Sequence, residues 1–209
     1  MAAPTRVKRT KVAPASAASS ELSDTMKEIQ KRYGGNVMSS GSSIVQPLRI
    51  PTGIFTVDMC TLGGIPSNRC SMVVGERHAG KSVFAAKCTR GAQMTLPDQK
   101  VAYLDIEGTF DSVWAGKLGV NLDDLLVVQP ETGESAVDIA DALVGTQDVS
   151  MIVLDSIAAL TPMKELEGSA EDALVGVQAR LVGNMIRKVT AGLIRERNRG
   201  HYVTVLFVN

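Results

Sequence analysis

Gly75, Gly80, Lys81 and Ser82 stand at fixed spacing in the run Gly75-Glu76-Arg77-His78-Ala79-Gly80-Lys81-Ser82. They are the strongest chemical signal in this sequence. Glycines let a loop curl until successive backbone N–H groups point inward at a phosphate, and a helix beginning at residue 81 adds its positive end. In such a loop Lys81 reaches the outer phosphates of a nucleoside triphosphate, and the Ser82 hydroxyl holds Mg²⁺. All eight residues from Gly75 to Ser82 are therefore candidate nucleotide contacts. Arg77 and His78 fill variable positions, where they either add charge near the phosphates or simply face solvent. A glycine turn without a ligand is the competing reading, which the flanking strand and helix patterns disfavour.

Such a loop needs a strand before it and a helix after it. Apolar segments at about 70–74, 100–106, 125–129, 150–155 and 202–208 read as strands, and the stretches near 81–95, 112–118, 134–144 and 173–198 read as helices. Strands alternating with helices predict right-handed crossovers and a mainly parallel sheet. Ser150-Met151-Ile152-Val153-Leu154-Asp155 is apolar on both faces, as a central parallel strand must be. Ligand chemistry belongs at the carboxyl ends of such strands, and carboxylates fall there. Asp155 suits the Mg²⁺ shell, through water, and Glu107 suits a base that polarises the water attacking a terminal phosphate. A strand-end cap and a turn acid before Gly108 are the plainer alternatives. Strand alternation turns Asp105 away from its neighbours and makes it the weaker candidate.

Composition sets the frame. With 209 residues, 44% hydrophobic and 4% aromatic, the chain can build one aliphatic α/β core, and its formal net charge of zero confines any nucleic-acid binding to a local patch. Three cysteines, Cys60, Cys70 and Cys88, form no C-x-x-C pair, which argues against a zinc site or a disulfide framework and favours a reducing cytoplasm. No apolar run reaches the ~20 residues of a membrane span and no leader is evident, so a soluble protein without membrane contact is expected. Residues 1–20, rich in Ala, Pro and Ser with four cations, read as a disordered basic tail. From Ser23 an amphipathic helix carries Met26, Ile29 and Tyr33 on one face and stops at Gly34-Gly35. This helix and the linker after it occupy 21–45, its apolar face seeking either its own core or a neighbouring subunit, and the core occupies 46–209.

Four stretches together resemble the RecA recombinase family. They are Leu104 to Asp111, Lys117-Leu118-Gly119-Val120 through Gln129 to Glu134, Val153 to Pro162, and Glu165-Leu166-Glu167-Gly168, and Glu28 to Gly34 is similar to the family's N-terminal helix. The resemblance runs from about residue 21 to the C-terminus. It implies a RecA-like P-loop ATPase core, a mainly parallel sheet flanked by helices, with an N-terminal oligomerisation helix that docks on the adjacent protomer. It further implies ATP and Mg²⁺ as cofactors, Glu107 and Lys81 as catalytic groups, Asp111 as an adenine contact, and Trp114 as the ring stacked on the adenine. A core Trp is the alternative for the last. Glu107-Gly108-Thr109-Phe110 is nearer the eukaryotic and archaeal strand-exchange proteins, and the rest is bacterial or phage in type.

Lys164 to Gly176 resembles the family's first DNA-binding loop. Its acids, Glu165, Glu167, Glu171 and Asp172, would repel phosphate, so contact falls to backbone N–H groups, an inserted Val175 beside Gly176, and the cations beyond. Arg180 and Arg187, seven apart on one helical face, match family positions that touch the DNA backbone; a solvated charged helix is the alternative. Arg195 to His201 is more basic than the family leads one to expect. The implied activity is filament formation on single-stranded DNA, and homologous pairing with double-stranded DNA, driven by ATP in recombination and repair. Because the sequence stops at Phe207-Val208-Asn209, before a second DNA loop, a fragment with an unsatisfied sheet edge is expected. The alternatives are a non-catalytic nucleotide-binding and oligomerisation module, or another ATPase of this fold such as a helicase motor.

Overall fold

The computed structural model describes residues 15–34, 41, 46–163 and 176–209. It divides into an N-terminal unit, Met1–Gln46, and a core, Pro47–Asn209. In the first unit, α1 spans Ala15–Tyr33, beginning eight residues before the expected Ser23. Ala15-Ser16-Ala17-Ala18 explains the difference: tail composition forbids a packed core, but alanine extends a helix already nucleated downstream. The helix ends on Gly34, whose φ of +95° allows its N–H to reach the Gln30 carbonyl at 2.9 Å. Leu22, Met26 and Tyr33 are exposed along it.

In the core a five-stranded parallel sheet runs in the order β3, β7, β6, β4, β5. The strands are β3 (Cys70–Val73), β4 (Lys100–Asp105), β5 (Leu125–Val128), β6 (Val149–Asp155) and β7 (Thr204–Val208). Alternation assigns each side chain to a face. Val101, Tyr103, Met151, Val153 and Leu206 pack beneath α3 (Lys81–Thr95) and α4 (Ser112–Lys117). Ala102, Leu104, Ile152, Leu154 and Phe207 pack against α5 (Gly133–Val144) and α6 (Val177–Asn198). Every residue of β6 before Asp155 is buried, as a strand covered on both faces requires. Local chemistry fixes the helix starts. Thr132 Oγ1 accepts from Ser135 N and Ser135 Oγ accepts from Thr132 N, each at 3.1 Å, closing a capping box on α5.

Two features depart from the sequence reading. A short antiparallel pair, β1 (Arg49–Ile50) with β2 (Ile65–Pro66), and the one-and-a-half-turn α2 (Phe55–Cys60) between them are too short to leave a period. Asp58 organises this segment, accepting from Thr52 N and Thr52 Oγ1 at 2.8 Å each. The pair packs on α3 at Gly91, where a Cβ would stand 1.8 Å from the Pro51 carbonyl oxygen. The place of the last strand within the sheet was not read from the sequence either. β7 lies between β3 and β6 with both sides hydrogen-bonded, so among the described residues the sheet edges are β3 and β5.

Candidate nucleotide site

Each element delivers its residue to the carboxyl end of the sheet. β3 leads into the loop 75–80, and the backbone of Gly75 donates to the Asn209 carbonyl at 3.2 Å, tying the loop to the end of β7. Gly80, at φ +87°, and His78, at φ +61°, supply the left-handed turns that curl the loop into α3. Lys81 Nζ folds back onto the loop and donates to the carbonyls of Gly75 and Glu76, at 2.8 Å each. Glu76, Arg77, His78, Ala79 and Ser82 are exposed around it.

Beside the loop lies a cavity of about 140 Å³ whose lining includes Ser82, Tyr103, Asp105, Asp111, Trp114 and Asp155. Four of the expected site residues, Ser82, Asp111, Trp114 and Asp155, are therefore brought together on one concave surface. Trp114 is 49% exposed, which removes the core-Trp alternative and leaves its ring open to the cavity. Asp111 caps α4 by accepting from Trp114 N at 2.9 Å through Oδ1, so the carboxylate and the ring are positioned together. Glu107 is not part of the cavity lining. It stands two residues past Asp105, which pairs with Asp155 in the β4–β6 register, and its Oε1 accepts from Ser156 Oγ at 2.5 Å. The buried Ser156 thus orients the exposed Glu107 carboxylate next to Asp155.

Three residues of this arrangement carried no sequence signal of their role. Tyr103 donates its hydroxyl to Asp155 Oδ2 at 2.5 Å, and burial, followed by that hydrogen bond, pushes the phenol well above its ordinary range, keeping it a donor. Asp105 is buried and accepts from Thr109 N, Phe110 N and Gln129 Nε2 at 3.0–3.1 Å. Its work is to fold the turn that carries Glu107 and Asp111. Gln178 at the start of α6 donates to the carbonyls of Ala158, at 2.8 Å, and Leu160, at 3.2 Å, anchoring that helix to the segment after Asp155. Cross-strand partners leave no mark in the sequence, and strand alternation had made Asp105 only the weaker candidate.

Oxygen donors from Ser82 and Asp155 facing one cavity fit a hard cation such as Mg²⁺, which takes few protein ligands and completes its shell with water and phosphate. The described residues hold no cluster of three or more His, Cys, Asp or Glu side chains that would make an all-protein metal cage. Of the expected nucleic-acid contacts, Arg180 and Arg187 are exposed on α6, the latter donating to Asn184 Oδ1, and Gly176 is the αL residue that starts that helix at φ +84°. Val175 and nearly all of the loop before it lie outside the described residues. No helix among the described residues is long and apolar enough to cross a membrane.

A parallel sheet with a glycine loop between strand and helix, and carboxylates at the ends of the neighbouring central strands, defines an α/β ATPase core of the P-loop class. The model of the RecA N-terminal domain matches residues 20–209, and the chain belongs to the RecA family. RecA of Xylella fastidiosa is 39% identical over 191 residues, 90% of this chain and 53% of that protein. RecA of Xanthomonas euvesicatoria is likewise 39% identical over 191 residues, 90% of this chain and 54% of its own length. The chain spans about half the length of the curated relatives it matches.

Proposed function

We propose that this chain carries the ATP-driven core of a DNA recombinase, which assembles on single-stranded DNA and pairs it with homologous double-stranded DNA in recombination and repair. The observation that carries the reading is the shared cavity: Ser82 and Asp155 face it beside a half-exposed Trp114. A purine stacks on the indole while its phosphates extend toward the loop 75–82. Mg²⁺ held by Ser82, and by Asp155 through water, would neutralise charge on the phosphates.

The remaining roles belong to the chain's own groups. Lys81 exchanges the Gly75 and Glu76 carbonyls for phosphate oxygens, gaining a charge-assisted bond for each neutral one it gives up. Glu107, aimed by Ser156, accepts the proton of the attacking water. Glu76, Arg77, His78 and Ala79 complete the loop, and Arg180, Arg187, Gly176 and Val175 contact the DNA backbone. The exposed apolar residues of α1, Leu22, Met26 and Tyr33, dock on a neighbouring copy to propagate a helical filament in the cytoplasm. In domain terms, the docking helix α1 and the linker after it, up to residue 45, precede the ATPase core at 46–209.

The test is ATP turnover with and without single-stranded DNA. DNA-stimulated hydrolysis that disappears in Lys81→Ala and Glu107→Gln supports the reading. Turnover indifferent to DNA, or surviving both substitutions, refutes it.

A further inference from the structure

At the opposite end of the sheet from the nucleotide cavity, the last turn of α6, the segment after it and the start of β3 gather arginines that the ATPase reading leaves unused. Arg195, Arg197 and Arg199 lie within five residues, Arg69 immediately precedes β3, and all four are exposed. Arg197 follows Thr190 by seven positions and so shares its helix face, about 10 Å further along the axis. Thr190 touches Cys70 Sγ at 3.8 Å, so that face looks onto the start of β3, where Arg69 stands. Tyr202 is 43% exposed in the same segment.

The segment is held rigidly. Asn68 Nδ2 donates to the His201 carbonyl at 2.8 Å and Asn68 N to the Val203 carbonyl at 2.7 Å. Glu196, fully buried, accepts from Arg199 Nη1 at 2.8 Å, and its other oxygen lies 3.4 Å from His201 Nδ1. Arg195 lies 3.9 Å from Asp141, whereas among the described residues neither Arg69 nor Arg197 forms an ion pair. Arg69 Nη1 donates to the Asn68 carbonyl at 2.9 Å, a guanidinium's planar fork fits phosphate in two-point contact, and an adjacent exposed ring gives a base a face to stack on.

We infer that Arg69, Arg197, Arg199 and Tyr202 form a second nucleic-acid contact, binding the phosphate backbone without regard to sequence. It lies some 25 Å along α6 from Arg180, counting Arg180 to Arg197 at 1.5 Å per residue. It rests on the reading that the chain binds DNA, but uses different residues from the contacts assigned there.

The experiment is fluorescence anisotropy of a labelled thymidine homo-oligonucleotide with the full 209-residue chain, titrated across salt concentrations. In Arg69→Glu/Arg197→Glu the plot of log affinity against log salt becomes shallower by about 1.4, about 0.7 for each lost phosphate contact on a single strand. Tyr202→Ala weakens binding without changing that slope. Binding of a fluorescent ATP analogue and the thermal melting temperature stay at the parent values in both variants. Parent-like affinity and slope in the double variant overturn the inference. Polyglutamate bound as tightly as the oligonucleotide, and unaffected by Tyr202→Ala, overturns it too, in favour of an acidic protein partner. Arg180→Ala/Arg187→Ala is read alongside: loss there alone leaves the proposed function standing without the second contact, loss only in Arg69→Glu/Arg197→Glu removes the DNA role from the start of α6, and no DNA binding by the parent chain overturns both.

Discussion

The two ends of the parallel sheet hold their charges in opposite ways. At the carboxyl end, Lys81, Glu107 and Ser82 are accessible, and Lys81 is satisfied by loop carbonyls it can exchange for a ligand. At the amino end, Glu196 and His201 are buried, and Asn68 pins the turn above them by one side-chain and one backbone bond. The first arrangement suits chemistry with a transient guest, because every bond it breaks is replaced. The second suits a surface that must keep its shape, since a buried polar group that loses its partner destabilises the fold.

Substitutions can break this contrast. Glu107→Gln should lower ATP turnover by on the order of 10²–10⁴-fold while leaving nucleotide affinity intact, measured by phosphate release and by titration. Glu196→Ala should do the reverse. It leaves His201 buried without its carboxylate and costs about 1–3 kcal/mol in denaturant unfolding, with nucleotide affinity unchanged. Trp114→Ala should weaken binding of an adenine nucleotide by about 1–3 kcal/mol, and in the parent chain the emission of this sole Trp should respond to nucleotide.

Tyr103→Phe sharpens the comparison within the site. With the donor to Asp155 Oδ2 gone, the Mg²⁺ concentration at half-saturation of nucleotide binding should rise a few-fold, for a loss of about 1 kcal/mol. The smallest effect is in the α3 core. Burial, reinforced by the Asp58 carboxylate, pushes the Cys88 thiol from near 9 up to about 12. The folded state therefore holds this proton more tightly than the unfolded state, so its contribution is complete below pH 9 and fades as pH rises toward 12. Thiol labelling at pH 8 should modify exposed Cys60 at once and Cys88 only on unfolding.

Much of this architecture could be read directly from residue order. β6 and α3 were legible because an unbroken apolar strand and a loop-initiated helix each leave a pattern, and α3 falls at 81–95 as expected. Ser82 and Asp155 were placed by their motifs and Asp111 and Trp114 by the family resemblance, and the four meet on one cavity. What could not be read depends on strand neighbours. Tyr103 meets Asp155 only because β4 and β6 pair with Asp105 opposite Asp155. The place of β7 between β3 and β6 leaves no mark in residue order for the same reason, since parallel strand order is set by crossovers.

That position of β7 also governs when the site comes into being. Among the described residues β3 meets no sheet partner other than β7, and Cys70 pairs with Val205 across more than half the chain. During synthesis, β4, β5 and β6 can associate as soon as they emerge, whereas β3 and the glycine loop wait for residues 204–208. Contacts this distant in sequence are slow to form, and they leave the apolar strand Cys70–Val73 unpaired in the interval. The phosphate loop is thus held in place by a strand made long after it, through the pairing of greatest sequence separation among the described strands.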